Sequence, residues 1–243
     1  MIKQALILSS GLGKRMRPIT NIIPKPMVEI YKQSLITRII DQLYKVGVTK
    51  IVVNLFYKAD LLKKHIEHYI EKYCSDVQVR FIIEDELHEV WGSIKKSLSY
   101  MGNQSFFLVN GDSYWIDTEQ NIFSILYSQW DSVYMKSIIL LYPKERAIGY
   151  DGNGDFDLLD HKIINSIEAT KLPYVYIGLQ IISPEIFINE KLRKCSIFDI
   201  YQQFDYHGIY GVVYNGYWFH IGTPQAITQT ESFLKENSLC HLA

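Results

Sequence analysis

The chain has 243 residues, of which 48% are hydrophobic and 21% are charged, and its formal net charge is -1. This balance predicts a soluble globular protein with a sizeable core and excludes a disordered chain. Without a basic excess we expect neither nucleic acid nor an anionic membrane as a partner, and no apolar run has the length of a membrane span. Cys74, Cys195 and Cys240 form neither a CxxC pair nor a Cys-His cluster, which predicts a reducing cytoplasm and no zinc site.

Residues 1–142 alternate between short apolar runs and helical periodicity. Ala5–Leu8 is an apolar run of the kind that a parallel strand covered on both faces requires. The predicted segments that follow are a helix from Leu35 to Gly47, the strand Lys50–Asn54, the helix Asp60–Tyr73, the strand Val77–Ile83, the helix Trp91–Met101, the strand Phe106–Val109, the helix Gln120–Trp130 and the strand Lys136–Leu141. Such alternation predicts an α/β fold, built on a doubly wound, mostly parallel sheet with right-handed crossovers.

The pattern changes after Pro143, where Tyr150–Asp155 is a cluster of turn-forming residues. The remaining predicted elements are strands at Phe156–Leu159, Lys162–Ile167, Tyr174–Ile182 and Ile209–Tyr214 and helices at Ile197–Tyr206 and Ala226–Glu236. No repeat, low-complexity tract or linker interrupts the chain. We therefore predict one domain over 1–243, with a part over about 1–142 and a small strand-rich lobe over about 143–243.

The stretch Met1–Val28 joins the first predicted strand to a glycine turn and several cations. Gly11 and Gly13 let the backbone lie close to a ligand, so that consecutive N–H groups can point at phosphate oxygens. Arg15 can bind phosphate through its planar guanidinium, and Lys25, between two prolines, offers a point charge. The spacing excludes a dinucleotide fingerprint and a Walker loop. The predicted nucleoside triphosphate site comprises Ser10, Gly11, Gly13, Lys14, Arg15 and Lys25.

An acidic motif, Asn110-Gly111-Asp112, follows the predicted strand Phe106–Val109. Ligands of such sheets bind at the carboxyl ends of strands, so we expect this motif and the glycine turn to meet. Asp112 can then offer an oxygen to Mg²⁺, which usually binds through one or two carboxylates and substrate phosphates. Taken alone, Asn-Gly-Asp favours an ordinary turn aspartate, but its position after an apolar strand and downstream of the glycine turn favours the metal site.

The motif Gly-x-Gly-x-Arg-Met-x-Pro, followed by Pro-Lys-Pro, resembles the signature of the sugar-1-phosphate nucleotidyltransferases. The resemblance extends along the chain through Val109-Asn110-Gly111-Asp112, Gly154-Asp155-Phe156, Gly178 and the segment from Trp218 to Pro224. The length and the later motifs are most similar to the N-acetylmuramate-1-phosphate uridylyltransferases, and less similar to the heptose or mannose-1-phosphate guanylyltransferases. The resemblance implies a Rossmann-like fold and attack by a sugar 1-phosphate on the α phosphate of a nucleoside triphosphate such as UTP, with release of pyrophosphate.

The same resemblance implies roles for individual residues. Gly11 and Gly13 would cradle phosphates. Arg15 would steady the leaving pyrophosphate and Lys25 would neutralise charge at the α phosphate, as the catalytic residues. The implied sugar-phosphate contacts are Asn110, Asp155 and Gly178, and the implied Mg²⁺ ligand is Asp112. Positions 1–142 would then be the nucleotide-binding part, positions 143–243 the sugar-phosphate lobe, and catalysis would need no side-chain nucleophile.

The chain departs from the family pattern at two positions. Where the family has Glu-x-Gly-Gly, this chain has Glu89-Val90-Trp91-Gly92, so that the base stacks on Trp91 beside Gly92 or Trp91 fills the pocket. The family's Trp-x-Asp-x-Gly reads Trp218-Phe219-His220-Ile221-Gly222, with an imidazole in place of a second metal-binding carboxylate. As a metal ligand, His220 would weaken Mg²⁺ binding and favour Mn²⁺ or Co²⁺; alternatively, it hydrogen-bonds within the second lobe.

These departures leave two functions open. The first is a metal-dependent nucleotidyltransferase of the cytoplasm, which uses a nucleoside triphosphate and a sugar 1-phosphate in nucleotide-sugar biosynthesis for the cell wall. The second is a catalytically weak or inactive homologue that binds nucleotide or sugar phosphate. Because Arg15, Lys25 and Asp112 are all present, we favour the enzyme.

Overall fold

A computed structural model describes residues 1–86, 90–164, 171–187, 196–204 and 206–242. The strands in these ranges are β1 (Gln4–Ser9), β2 (Glu29–Ile30), β3 (Gln33–Ser34), β4 (Lys50–Leu55), β5 (Gln78–Ile83), β6 (Phe106–Asn110), β7 (Tyr114–Ile116), β8 (Ser137–Pro143), β9 (Asp157–Leu159), β10 (Lys162–Ile164), β11 (Tyr174–Ile182), β12 (Ile209–Val213) and β13 (Tyr217–Phe219). The helices are α1 (Ile19–Ile22), α2 (Leu35–Lys45), α3 (Ala59–Tyr73), α4 (Val90–Met101), α5 (Ile122–Gln129), α6 (Ile197–Gln203) and α7 (Pro224–Glu236). Short 3-10 helices include Lys14–Met16 and Lys25–Met27.

Within the described ranges, nine strands form one sheet in the order β5-β4-β1-β6-β11-β8-β12-β10-β9. Strands β5, β4, β1 and β6 are parallel to one another, as are β8 and β12. Strand β11 pairs antiparallel with both β6 and β8. Two small antiparallel sheets, β2 with β3 and β7 with β13, lie outside the main one. The predicted α/β fold on a mixed, mostly parallel sheet is thus confirmed.

Both faces of the sheet are covered, which explains the uninterrupted apolar run of β1. Ala5 and Ile7 pack into the core cluster that contains side chains of α2 and α3, whereas Leu6 packs on the opposite face with Trp91 and Ile94 of α4. All five side chains are fully buried. Because successive side chains of a strand point to opposite faces and both faces are covered, the central run of β1, Ala5–Leu8, is apolar at every position. No helix among the described residues combines the length and the apolar character needed to cross a membrane.

The predicted second lobe shares the main sheet with the first part of the chain. Strand β11 has the predicted bounds, Tyr174–Ile182, but it lies between β6 and β8. A bulge between Tyr176 and Gln180 interrupts its pairing with β8, and Gly178 within the bulge has a φ of 81°. The predicted helix at Ile197–Tyr206 ends at Gln203, and Tyr206 has left-handed backbone with a φ of 55°. Of the predicted strand at 162–167, positions 165–167 lie outside the described residues.

Candidate active site

The carboxyl ends of β1 and β6 border a cleft of about 780 Å³. The predicted site residues that line it are Ser10, Gly11, Gly13, Lys14, Arg15, Lys25, Asn110 and Asp112. The glycine turn, called here the glycine loop (residues 10–15), follows the end of β1. That end is joined to the acidic turn, because the backbone N–H of Gly111 donates a 2.8 Å hydrogen bond to the carbonyl of Leu8. Residues from separate parts of the sequence therefore meet at one edge of the sheet, where ligands of open α/β sheets bind.

The two glycines of the loop have different structural requirements. Gly13 has a φ of 58°, and a Cβ atom there would lie 2.9 Å from Cγ2 of Thr20. The Gly13 carbonyl accepts hydrogen bonds from the Thr20 hydroxyl and the Met16 N–H, each 2.9 Å long. At Gly11, a Cβ atom would meet nothing within 4 Å. Gly13 thus fixes the turn, whereas Gly11 leaves backbone open toward a ligand.

The loop carries two exposed cations, Lys14 and Arg15. Within the described part of the chain, neither side chain has a hydrogen-bond or ion-pair partner. A guanidinium can bind phosphate oxygens through two parallel hydrogen bonds. Both side chains are therefore available for an anionic ligand in the cleft.

Lys25 and Asp112, which both line the cleft, form an ion pair with Nζ 2.6 Å from Oδ2. Burial favours the neutral carboxyl, but the ammonium of Lys25 and its hydrogen bond outweigh this and hold the pKa of Asp112 below its ordinary value. Asp112 is therefore ionised at neutral pH. The pair presents one positive and one negative group side by side to a ligand.

A second cavity of about 190 Å³ adjoins the cleft, and the two share Arg15, Lys25, Asn110 and Asp112 in their linings. The other predicted site residues that line this cavity are Asp155, Gly178 and His220, and its aromatic residues are Tyr150, Tyr176, Trp218 and Phe219. A wall of aromatic rings beside a few polar groups is suited to a ligand with both apolar faces and hydroxyl groups.

At this second cavity, side chains from other parts of the chain approach the backbone of β11 closely. A Cβ atom on Gly178 would lie 2.7 Å from Nδ2 of Asn110 and 2.5 Å from Oγ of Ser113. The Oδ2 atom of Asp155 accepts a 2.8 Å hydrogen bond from the N–H of Tyr176. Burial raises the pKa of Asp155 above its ordinary value, although that N–H partly opposes the effect. The bulge of β11 thus brings the backbone of Gly178 against Asn110.

His220 lies in the second cavity with its ring near two aromatic side chains. Its ring centroid is 5.8 Å from that of Tyr150, edge to face, and also 5.8 Å from that of Trp218. Burial lowers the pKa of His220 below its ordinary value of 6.5, and the cations Lys25 and Arg15 lower it further. The imidazole is therefore neutral at pH 7, in the form that can ligate a metal or accept a hydrogen bond.

The donor groups fit a divalent cation that is shared with a substrate. The described residues contain no group of three or more His, Cys, Asp or Glu side chains able to hold a metal. What they supply is the carboxylate of Asp112, with the imidazole of His220 in the same cavity. Mg²⁺ usually binds through one or two carboxylates together with substrate phosphates and water. The site suits that mode of binding and does not suit a closed protein cage.

Comparison with known proteins identifies the family. The sequence profile described as "Nucleotidyl transferase" matches residues 4–237. The chain belongs to the nucleotidyl transferase family. It is 32% identical over 239 residues to an N-acetylmuramate alpha-1-phosphate uridylyltransferase of Caulobacter vibrioides, which covers 96% of this chain and 98% of the relative. Both the predicted family and the prediction of an enzyme are confirmed.

Two further relatives of this nucleotidyltransferase agree with the assignment. It is 25% identical to a D-glycero-alpha-D-manno-heptose 1-phosphate guanylyltransferase of Campylobacter jejuni, over 91% of this chain and 96% of that one. The crystal structure of HddC from Yersinia pseudotuberculosis complexed with GMP-PN superposes with a TM-score of 0.75 and 27% identity. That match covers 96% of this chain and all of HddC, at 100%.

Trp91 and Gly92, which were predicted to lie at the nucleotide, are placed in the core of the protein. Trp91 is fully buried and packs on the ring of Phe187, with centroids 5.0 Å apart, and Gly92 is buried beside it in α4. The neighbouring Val90 lines the cleft, but the two predicted residues line neither cavity. Burial of the large apolar indole in the core explains this position. Glu89, which precedes them, lies outside the described residues.

Several residues of the nucleotidyltransferase site were not predicted from the sequence. Ser9 and Gly222 line the cleft, and Asn54 hydrogen-bonds to the first residues of the glycine loop. Asn54 is fully buried in β4, directly after the apolar residues Ile51–Val53. A polar side chain at the end of an apolar run was the available signal, since buried amides are usually hydrogen-bonded.

Proposed function

We propose that this nucleotidyltransferase transfers a nucleoside monophosphate from a nucleoside triphosphate to a sugar 1-phosphate and releases pyrophosphate. The observation that carries the proposal is the junction of the two cavities at Arg15, Lys25, Asn110 and Asp112. A triphosphate in the larger cleft and a phosphate in the smaller cavity would meet at this junction. The names of the relatives at 32% and 25% identity, which cover nearly the whole chain, support both substrate classes.

The proposed reaction forms a bond from an acceptor phosphate oxygen to the α phosphorus and breaks the bond from that phosphorus to the β-bridging oxygen. Arg15 would bind the pyrophosphate as it leaves, and Lys25 would neutralise charge that develops at the α phosphate. The backbone N–H groups at Gly11 and Gly13 would hold the triphosphate in place. When bound by Asp112 and substrate phosphates, Mg²⁺ would supply further charge neutralisation.

We further propose UTP as the donor and N-acetylmuramate 1-phosphate as the acceptor. The support is the name of the Caulobacter vibrioides relative, whose chain aligns over 98% of its length. The reaction would then take place in the cytoplasm, where nucleoside triphosphates are made, and its product would enter nucleotide-sugar metabolism for the cell wall. Neither nucleic acid nor a membrane is a partner in this proposal.

Release of pyrophosphate tests the proposal directly. The purified protein is incubated with Mg²⁺, each of four nucleoside triphosphates and a panel of sugar 1-phosphates, with Arg15→Ala as the inactive control. We expect release only when both substrates are present, and most with UTP and N-acetylmuramate 1-phosphate. Nucleotide binding without release from any pair would contradict the proposal and favour a binding homologue, the alternative that His220 suggests.

A further inference from the structure

Asn54 joins the glycine loop to a buried polar network. Its side chain is 0% exposed. Its Oδ1 atom accepts a 2.7 Å hydrogen bond from the backbone N–H of Ser9, and its Nδ2 atom donates to Oγ of Ser10 at 3.2 Å. The same Nδ2 donates a 2.9 Å hydrogen bond to Oε1 of Glu84. The Asn54 side chain therefore contacts Ser9, the last residue of β1, and Ser10, the residue that follows it.

The network continues from Glu84 into α4. The hydroxyl of Ser93 donates a 2.5 Å hydrogen bond to Oε1 of Glu84, and the N–H of Glu84 donates to the carbonyl of Leu55 at 2.8 Å. Glu84 is 3% exposed and Ser93 is 1% exposed. Asn54 lies on the sheet face that α4 covers, because Val52, two residues earlier, packs with α4 side chains. The loop, the ends of β4 and β5, and α4 are thus connected through one amide.

The network holds the chain at the end of β1, directly before the glycine loop begins. The carbonyl of Leu8 accepts the N–H of Gly111, and the next N–H, that of Ser9, is bound by Asn54. The chain is therefore held from both neighbouring strands at Leu8 and Ser9, which line the cleft together with Ser10. An apolar residue at position 54 would leave the buried N–H of Ser9 without its acceptor, which is costly in a site shielded from water.

We propose that Asn54 is a positioning residue for the nucleotide, which sets the direction of the glycine-loop amides through Ser9 and Ser10 and couples them to α4 through Glu84. The identity of the ligand rests on the proposed function, but the placement of the loop does not. Loss of the amide lets the loop shift, and a shift of about 1 Å can reduce a rate by about 100-fold. The loss lowers kcat/KM for the triphosphate, whereas KM for the sugar phosphate in the second cavity changes little.

The matched control for Asn54→Ala is Gln4→Ala. Gln4 lies at the other end of β1, is 5% exposed, and donates two hydrogen bonds, to the carbonyls of Met101 at 2.8 Å and Gln104 at 2.9 Å. Both changes remove a buried amide, so both lower Tm. We expect only Asn54→Ala to reduce kcat/KM for the nucleoside triphosphate, by about 10- to 100-fold, with KM for the sugar 1-phosphate within about twofold of wild type. Equal kinetic losses in the two variants would overturn the proposal.

A reversal of donor and acceptor provides a second test, and it remains available if Asn54→Ala does not fold. Asn54→Asp keeps an acceptor for Ser9 but places a carboxylate against that of Glu84. Adding Glu84→Gln supplies a donor to the new carboxylate and restores the contact in the opposite sense. The double variant should recover about tenfold or more of the kcat/KM lost in Asn54→Asp. Losses that simply add would show that residues 54 and 84 do not act together and would overturn the proposal.

Hydrogen exchange of the free protein separates this inference from the proposed function, because it needs no substrate. In Asn54→Ala, the amides of Ser9 and Ser10 should exchange about tenfold faster than in wild type, whereas Gln4→Ala should leave them unchanged. Unchanged exchange in Asn54→Ala overturns the inference. If wild type turns over no substrate pair but these amides respond as expected, the proposed function fails and the role of Asn54 in placing the loop stands.

Discussion

The Nζ atom of Lys25 lies 2.6 Å from the Oδ2 atom of Asp112, although the two residues are 87 positions apart in the sequence. The Lys25 side chain is 13% exposed and is carried by the short helix Lys25–Met27. Asp112 follows β6 at the junction of the two cavities. The pair places a fixed positive charge where two phosphates are proposed to meet, and a preorganised charge stabilises a transition state without rearrangement.

Lys25→Ala should reduce kcat by about 10²- to 10³-fold, which corresponds to about 2.7 to 4 kcal/mol of transition-state stabilisation. Lys63→Ala is the control, because Lys63 forms an exposed ion pair with Glu67 at 3.8 Å, and such pairs contribute about 0 to 1 kcal/mol. Steady-state kinetics on both variants, with circular dichroism to verify folding, make the comparison. A folded Lys25→Ala protein with normal turnover would contradict the assigned role.

The same ion pair predicts a pH dependence of stability. The pKa of Asp112 is lowered in the folded protein from its ordinary value of 3.8, so its stabilising contribution is complete above that value and is lost as the pH falls through the folded-state pKa. Lys25→Met removes the partner. The difference in free energy of unfolding between wild type and Lys25→Met should therefore be largest above about pH 4 and should narrow below it. Urea denaturation across this range measures the difference, and a constant value would contradict the prediction.

Local patterns predicted the elements that form the site, because their signals lie within a few residues. The apolar run of β1, the glycine turn and the turn at Asp112 each depend on neighbours in the sequence, and parallel strands bring their carboxyl ends together. Strand β11 was also predicted with its observed bounds. Its place between β6 and β8 could not be predicted, since sequence order does not specify the order of strands in a sheet.

Features that depend on distant contacts were missed. The resemblance implied that Trp91 lies beside the nucleoside, but its indole packs against Phe187, which is far along the chain. Strands β7 and β13 are three residues each, which is too short for a periodic signal. In the sequence, Asn54 is a single polar residue near the end of a predicted strand. Its part in a buried network is evident only from its hydrogen bonds with Ser9 and Glu84 in the structure.

Trp91 should not contribute to nucleotide affinity, because its indole is fully buried outside the cleft. Trp91→Phe is expected to leave the affinity for the triphosphate within about twofold of wild type, whereas Trp91→Ala should destabilise the fold by about 3 to 5 kcal/mol. Calorimetric titration measures the affinity, and urea denaturation measures the stability. A marked loss of affinity in a stable Trp91→Phe protein would show that the indole does reach the nucleotide.

Gly178→Ala should impair the second cavity, and Gly102→Ala is its control. Both glycines have left-handed backbone, with φ of 81° and 67°, but a Cβ atom would clash with Asn110 only at position 178, and at position 102 it meets nothing within 4 Å. Each change should cost about 1 to 2 kcal/mol of stability through backbone strain. Only Gly178→Ala should also raise KM for the sugar 1-phosphate, by about tenfold. Equal KM values for the sugar 1-phosphate in the two variants would show that Gly178 does not contribute to the acceptor site.

His220 should set the metal preference of the enzyme. It shares the smaller cavity with Asp112, and its lowered pKa keeps the ring neutral at pH 7. Imidazole nitrogen suits Mn²⁺ and Co²⁺ better than Mg²⁺, which prefers oxygen. We therefore expect Mn²⁺ or Co²⁺ to support turnover at lower concentrations than Mg²⁺ does.

His220→Asp should supply a second carboxylate and lower the Mg²⁺ concentration needed for half-maximal rate by about tenfold or more. The control is His161→Asp, which makes the same substitution at an exposed turn between β9 and β10, away from the site. It should leave that concentration unchanged. Metal titrations of the three proteins at saturating substrates decide the matter. If wild type and His220→Asp depend on Mg²⁺ identically, His220 does not bind the metal, and its place beside Tyr150 and Trp218 serves the packing of the second cavity.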